Sequence, residues 1–290
     1  MLTRFAPAPT GWLHLGHVLN AEYVWSSPPS PHSGFGEAGS RQVVLRIEDH
    51  DRERCRPEYE AGILEDLEWL GYRPDFPLVR QSERGVIYRE AVEVLAAQGL
   101  VYGCDCTRRE IESRIDRSST IDASPLLTDH RTSAIEHRPS ELRYSGRCRD
   151  RGLPLSGGVG WRVRMNPGVE TFVDGILGPQ EQDPSRQCGD VLIRDRLGNW
   201  TYQFAAAVDD FRQGIDLVIR GEDLLPSTGR QIRLARLLGR ERPATFRHHP
   251  LIMKSPDQKL SKSDGDTGIR ELRARGWTPD QVKAAARSSA

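Results

Sequence analysis

Apolar and polar positions along the chain follow two periods. Residues 2–6 (LTRFA) form a short apolar-leaning run that ends in the turn PAPTG. From His14, HLGHVLNAEYVW is apolar at helical spacing, so the chain is predicted to open as strand, glycine turn and helix. VVLRIED (43–49) reads as a buried strand with acids at its end. PEYEAGILEDLEWLG starts on a proline, keeps helical spacing and closes on Gly71, the punctuation of a helix. Residues 83–98 predict another helix. Alternating patterns follow in WRVRM (161–165), TFVDG and GDVLIRD (189–195). After them come the apolar run YQFAAAVDD, the strand IDLVIRGED and a helix near 226–238. Strands alternating with helices predict an α/β fold with a parallel sheet.

Two stretches break this rhythm. SSPPSPHSGFGEAGS (26–40) is rich in proline and glycine and reads as a surface loop. The segment 101–160 holds two cysteines, a polar stretch, then Tyr144 and Cys148, and ends in SGGVG. It reads as an insertion with its own small fold. The expected division is a split catalytic unit (1–100 and 161–250), the insertion (101–160), and a C-terminal part (251–290) with a polar loop and a terminal helix.

Composition narrows the function. The 290 residues amount to about two domains at roughly 100–200 residues each. No window approaches 18 consecutive apolar residues, and the N-terminus has no apolar signal core. A cytoplasmic protein without a membrane span is expected. The five cysteines are then thiols in a reducing compartment, where clustering points to metal or catalysis. Forty-one basic and 41 acidic side chains cancel, which argues against a general nucleic-acid coat but leaves room for a local basic face. Only four of the basic residues are lysines, and Lys254, Lys259 and Lys262 fall within nine residues of one another.

Two short motifs carry candidate chemistry. His14 and His17 in HLGH share one face at a helix start, where unpaired N–H groups and the helix dipole favour phosphate. Gly16 between them leaves room for a purine ring. The plainer reading is two surface histidines capping a helix. KLSKS (259–263) places Lys259 and Lys262 in a polar loop, as a clamp of compact positive charges on phosphate would. Its plainer reading is a solvated basic loop, which the use of arginine almost everywhere else weakens.

HLGH and KLSKS together resemble the two signatures of class I aminoacyl-tRNA synthetases. RFAPAPTGWLHLGH, LRIEDHDRER, YQFAAAVDD, IRGEDLLPSTGRQ and HHPLIMKSPDQKLSKS are similar to the glutamyl branch, in family order over nearly the whole chain. Only 27 residues follow KLSKS. The chain therefore resembles the short paralogues that activate glutamate with ATP and attach it to queuosine at the wobble position of tRNA(Asp).

That resemblance implies a class I synthetase-like Rossmann domain with a zinc-containing insertion, a short C-terminal helical stretch and no anticodon-binding domain. It implies that Arg4, Ala8, Glu48, Tyr202 and Arg220 meet glutamate, and that His14, Gly16, His17 and Lys262 meet ATP, with Lys259 in support. Ala8 departs from the serine of many relatives. Magnesium would arrive with ATP. One structural zinc would be held by Cys104, Cys106, Tyr144 and Cys148. The 37 residues between Cys106 and Tyr144 include His130 and His137, which compete for the fourth place. Cys55 and Cys188 read as isolated thiols.

Arg108, Arg109, Arg114 and Arg117, with Arg143, Arg147, Arg149 and Arg151, offer a surface for tRNA phosphates or simply a solvated face. The expected state is a monomer. The competing functions are a truncated glutamyl-tRNA synthetase that charges the 3′ end, and a silent tRNA- or nucleotide-binding protein.

Overall fold

A computed structural model describes residues 1–26, 41–118, 142–255, 258–259 and 268–289. The loop expected at 26–40 lies, beyond Ser26, outside the described residues. Strands β1 (Leu2–Phe5), β2 (Gln42–Ile47) and β3 (Val79–Arg80) alternate with helices α1 (Leu15–Ser26) and α2 (Pro57–Leu70). Helix α3 (Gly85–Ala97) then leads to β4 (Val101–Cys104) and α4 (Arg108–Ser118). Next come β5 (Gly160–Val163), the hairpin β6 (Glu170–Asp174) and β7 (Gly178–Gln182), the short α5 (Pro184–Gln187) and β8 (Val191–Arg194). The chain continues through α6 (Tyr202–Arg212), β9 (Leu217–Gly221), α7 (Thr228–Leu237) and β10 (Thr245–His249). It ends with β11 (Met253–Ser255), β12 (Gln258–Lys259), α8 (Ile269–Ala274) and α9 (Pro279–Ser288).

The main sheet has the order β3-β2-β1-β9-β10-β6-β7, parallel except for the β6–β7 hairpin at its edge. Parallel strands are covered on both faces, and β2 shows why QVVLRI suits this. Val43, Leu45 and Ile47 face a core shared with α1, α2, α8 and α9, while Val44 faces a second core with Val218, Ile232 and Phe246. The period-two alternation thus splits one apolar run between two layers. Each side chain buried this fully contributes roughly 1.5–3 kcal/mol. Helix α2 ends where Gly71 adopts φ +80, a left-handed turn that costs other residues more.

Of the three alternating patterns read from the sequence, only TFVDG joins the main sheet, as β6. WRVRM and GDVLIRD become β5 and β8, which pair antiparallel with each other and β4 in a separate sheet. Their apolar positions meet α3 and α6 through Val163, Ile193, Leu95 and Phe204. Alternation gives the pleat of a strand but not its partner.

One buried charge sits at a cost. Asp66 on α2 is 1% exposed, and neither carboxylate oxygen has a hydrogen-bond partner among the described residues. Burial, only partly offset by Arg273, pushes this carboxyl up to about 6. The ordinary value is about 3.9, so between about pH 4 and 6 the folded state holds the extra proton. Stability therefore falls as pH rises through that window. Above it the penalty persists in full, roughly 3 kcal/mol for a two-unit shift. Asp66→Asn is expected to raise Tm at pH 7.5 by several degrees and to flatten the slope between pH 4 and 6. Thermal unfolding of both proteins across that range checks this, and parallel Tm curves would count against it.

Among the described residues, no helix is long and apolar enough to cross a membrane.

Candidate active site

The sheet order reverses between β1 and β9, and in such sheets ligands bind at the carboxyl ends of the strands beside the reversal. Those ends carry the residues singled out from the sequence. β1 runs into PAPTG and HLGH, β2 ends beside Glu48 and β9 carries Arg220; to these β10 adds His248 and His249, which were not singled out. The Glu48 N–H donates to Pro7 O at 3.0 Å, which ties the PAPTG turn to the end of β2. Ala8 lies in that turn, its carbonyl accepting from Thr10 N–H at 2.9 Å.

His14 and His17 pack ring to ring, centroids 4.0 Å apart, at the start of α1. The His14 N–H donates to His17 Nδ1 (3.2 Å), and the Gly16 N–H donates to His14 Nδ1 (3.1 Å). With each Nδ1 used as an acceptor, each neutral ring carries its proton on Nε2. An imidazole Nε2–H is the kind of donor that phosphate oxygens accept. A side chain at Gly16 would press on His14, with a Cβ 3.0 Å from Cε1. The glycine thus makes room for the His14 ring itself.

At Gly268 the chain returns to the first signature. Gly268 bridges to His14, and Ile269 N–H donates to Leu13 O at 2.8 Å. Lys259 lies on β12, paired through its backbone with Met253. Lys262 lies outside the described residues.

Beside this edge is a buried cluster of charges. Arg46, fully buried near the carboxyl end of β2, donates to Asp210 Oδ1 (2.8 Å), Gln213 Oε1 (3.0 Å) and Glu48 Oε1 (3.3 Å). Arg4 Nε donates to the same Asp210 oxygen at 3.2 Å, and Arg4 Nη1 to Ile219 O at 3.1 Å. Burial works against the Asp210 carboxylate, but Arg4 and Arg46 hold it below the usual range. Glu48 differs: burial raises its carboxyl in spite of Arg46. Asp209, its neighbour on α6, accepts from Arg84 Nε (2.6 Å), Tyr88 Oη (2.8 Å) and Gln81 Nε2 (2.9 Å). Tyr202, at the start of α6, lies within the fields of Arg220, Glu48 and Arg4, and burial raises its phenol.

Arg220 is 2% exposed. It does not form the strand-end ion pair with Glu222 or Asp223 that the sequence also allowed. All three of its nitrogens bond neutral partners: Nε donates to His248 Nε2 (3.0 Å), Nη1 to Gln231 Oε1 (2.6 Å) and Nη2 to Thr228 Oγ1 (2.8 Å). Asp210, which acts on it electrostatically, already pairs with Arg4 and Arg46. Burial pulls the guanidinium below the usual arginine range.

The structure thus brings Arg4, Glu48, Tyr202 and Arg220 close enough to act on one another electrostatically. Sequence reasoning missed Arg46, Asp210 and His248. An arginine inside the apolar run VVLRI was the signal for the first. The paired acids ending YQFAAAVDD were the signal for the second.

The cysteine segment forms a separate cluster. The Sγ atoms of Cys104, Cys106 and Cys148 lie within 4.8 Å of one another. Cys106 and Cys148 are 3.6 Å apart, and Tyr144 Oη lies 3.3 Å from Cys104 Sγ and 3.8 Å from Cys106 Sγ. A tetrahedral zinc with bonds of about 2.3 Å to sulfur and 2.0 Å to oxygen requires edges of about 3.8 and 3.5 Å, so the donor set fits. Tyr144 is fixed by its N–H donating to Cys188 O (2.9 Å) and by Gly189, whose φ of +65 leaves no space for a Cβ. The Cys148 N–H donates to Tyr144 Oη at 3.0 Å, and Arg162 stacks 3.8 Å over the Tyr144 ring. Burial pushes Cys106 up to about 11; it also opposes the Cys148 thiolate, which hydrogen bonds led by Tyr144 nonetheless favour. His130 and His137 lie outside the described residues. Cys55 and Cys188 lie outside this cluster and in no disulfide among the described residues.

A parallel sheet with paired histidines opening its first helix, and a chain that returns to them at Gly268, is the catalytic architecture of class I aminoacyl-tRNA synthetases. The family model "tRNA synthetases class I (E and Q), catalytic domain" matches residues 1–284, and the chain belongs to that family. The glutamyl-Q tRNA(Asp) synthetase of Rhodobacter capsulatus is 38% identical to it, over 98% of this chain and 98% of that protein. The glutamyl-Q tRNA(Asp) synthetase of Bordetella bronchiseptica is 42% identical, over 90% of this chain and 75% of that one. The solved glutamate-tRNA synthetase of Elizabethkingia anophelis is similar with a TM-score of 0.72 and 28% identity, over 96% of this chain. The chain spans 59% of that larger protein.

Proposed function

We propose that the protein activates L-glutamate with ATP and transfers it to queuosine in tRNA(Asp). The observation that carries the amino-acid assignment is Arg220, a buried guanidinium whose nitrogens bond His248, Gln231 and Thr228, all neutral partners. A ligand carboxylate supplies the missing charge. The near end-to-end similarity to glutamyl-Q tRNA(Asp) synthetases supports the acceptor.

In this reading the α-carboxylate of glutamate attacks the α-phosphorus of ATP in line, and pyrophosphate leaves. The α-carboxylate must stay directed at phosphorus, so Arg220 takes the side-chain carboxylate. Glu48 takes the ammonium, with Arg4, the backbone at Ala8 and Tyr202 around it. His14 and His17 donate from Nε2 to phosphate oxygens, Gly16 keeps their rings in place, and Lys262 with Lys259 adds positive charge. Catalysis is positioning and charge stabilisation, with no protein nucleophile. Magnesium enters on ATP. Cys104, Cys106, Tyr144 and Cys148 would hold one zinc, which cross-links the β4 end to the 144–148 turn and takes no part in the reaction. The arginines around these ligands supply a surface for tRNA phosphates.

Two assays test the reading. Glutamate-dependent exchange of pyrophosphate into ATP is expected without tRNA. Labelled glutamate is then expected on tRNA(Asp) carrying queuosine and not on the same tRNA lacking it. Equal labelling of both, or transfer to tRNA(Glu), would favour 3′-end charging instead. No exchange under any condition would leave a nucleotide- or tRNA-binding protein.

A further inference from the structure

The geometry points to a buried relay, Asp174–His248, that orients Arg220 to receive the side-chain carboxylate of glutamate. Asp174 and His248 are positioning residues, and their role rests on the glutamate reading above.

The relay begins at the turn of the β6–β7 hairpin. Asp174 Oδ1 accepts the N–H groups of Ile176 and Leu177 (both 2.9 Å) and of His248 (3.3 Å). Its Oδ2 faces His248 Nδ1 at 2.6 Å. Both residues are wholly buried. An acceptor-only carboxylate at that distance places the imidazole proton on Nδ1. Nε2 is then a lone pair, and it receives the Arg220 Nε–H at 3.0 Å. The other tautomer, or a protonated ring, would set an N–H against an N–H there. Phe246 lies parallel to the imidazole, centroids 6.2 Å apart.

The remaining anchors complete the orientation. Gln231 Oε1 accepts from Nη1, while the Gln231 amide donates to Gln203 Oε1 (3.0 Å), and Gln203 donates to Ser227 Oγ (2.9 Å). Thr228 accepts from Nη2. Nε has spent its single N–H, and each terminal nitrogen has spent one of two. Of the N–H capacity left on the terminal nitrogens, part goes to the Tyr202 side chain, and a carboxylate that joins Tyr202 there accepts the rest. The relay thus sets the plane and rotation of a fork whose charge alone would fix neither.

Asp174→Asn tests it. Three backbone N–H groups hold the amide oxygen at the Oδ1 position, so the amide N–H₂ turns to His248. The ring must then accept at Nδ1 and move its proton to Nε2, against Arg220. The expected results are an Nδ1–H to Nε2–H change in the ¹⁵N–¹H imidazole spectrum and a rise of about tenfold or more in KM for glutamate. KM for ATP in pyrophosphate exchange should stay within about twofold. His248→Gln keeps an acceptor near the Nε2 position and is expected to retain glutamate binding far better than His248→Leu, so the test does not depend on the stability of one variant. The relay is overturned if Asp174→Asn keeps the Nδ1–H tautomer, if both KM values rise together, or if the Gln and Leu variants behave alike. It is overturned alone if these variants bind glutamate normally while Arg220→Lys does not. Failure of Arg220→Lys to affect glutamate would remove the underlying reading and the relay with it.

Discussion

Arg220→Lys is expected to lower kcat/KM for glutamate in pyrophosphate exchange by two to three orders of magnitude. Charge is conserved in this variant, so the loss reports geometry. A guanidinium presents its donors in a fixed plane, whereas an ammonium is a compact point charge on a flexible four-carbon stem. In the native pocket, His248, Gln231 and Thr228 each receive one donor from that plane. A lysine cannot satisfy all three and still offer a paired fork to the ligand. Unsatisfied buried acceptors cost about 1–3 kcal/mol each, and a charge-assisted pair is worth about as much again. Those terms reach the roughly 3–4 kcal/mol that a hundred- to thousand-fold loss requires. Glutamate titrations of the exchange rate check it. A change of less than about fivefold would mean that the guanidinium is a structural cross-brace between β9 and α7, with the amino acid held elsewhere.

Cys148→Ser is expected to take the chain from one bound zinc to nearly none. Cys148 is wholly buried, its Sγ is 3.6 Å from Cys106 Sγ, and its N–H is the donor that fixes the Tyr144 oxygen. Serine offers a far poorer ligand than a thiolate and shortens the reach. Structural zinc sites contribute about 10–16 kcal/mol of apparent binding energy in small domains, so losing one of four ligands is a large effect. The second sheet should loosen first, because β4 carries Cys104 at its end and pairs with β5 there. Elemental analysis of the purified variant checks the metal, and exchange protection of β4 and β5 checks the consequence. Full zinc content in Cys148→Ser would move the ligand set elsewhere in the segment.

Much of the main sheet was legible because its elements announce themselves locally. Proline opens α2, glycine closes it, and VVLRI alternates between two cores. The pairing of the later strands was not legible in the same way. WRVRM and TFVDG look alike as patterns, yet one joins β4 and the other joins β10, a choice made by contacts far along the chain. The site divides along the same line. HLGH and the cysteine pairs show themselves by spacing, which is local. His248 and Asp174 lie 74 residues apart and act through a third residue, so neither carries a signal of its own. Asp210 acquires its partners only when β1 and β2 fold beside α6.

The order in which this protein leaves the ribosome matters for the same geometric reason. β1 is an inner strand of the main sheet, but its neighbour β9 is synthesised about two hundred residues later, and Leu2 N–H bonds the side chain of Asp216. Helix α1 waits longer still, since Glu22 meets Arg287 of α9 across 265 residues. Until then Phe5, Val18, Leu19 and Val24 lack part of the cover they have in the finished core. β1 and α1 are thus translated well before the strand and helix that enclose them, and a nascent chain must keep this apolar strand and helix from other partners in the interval.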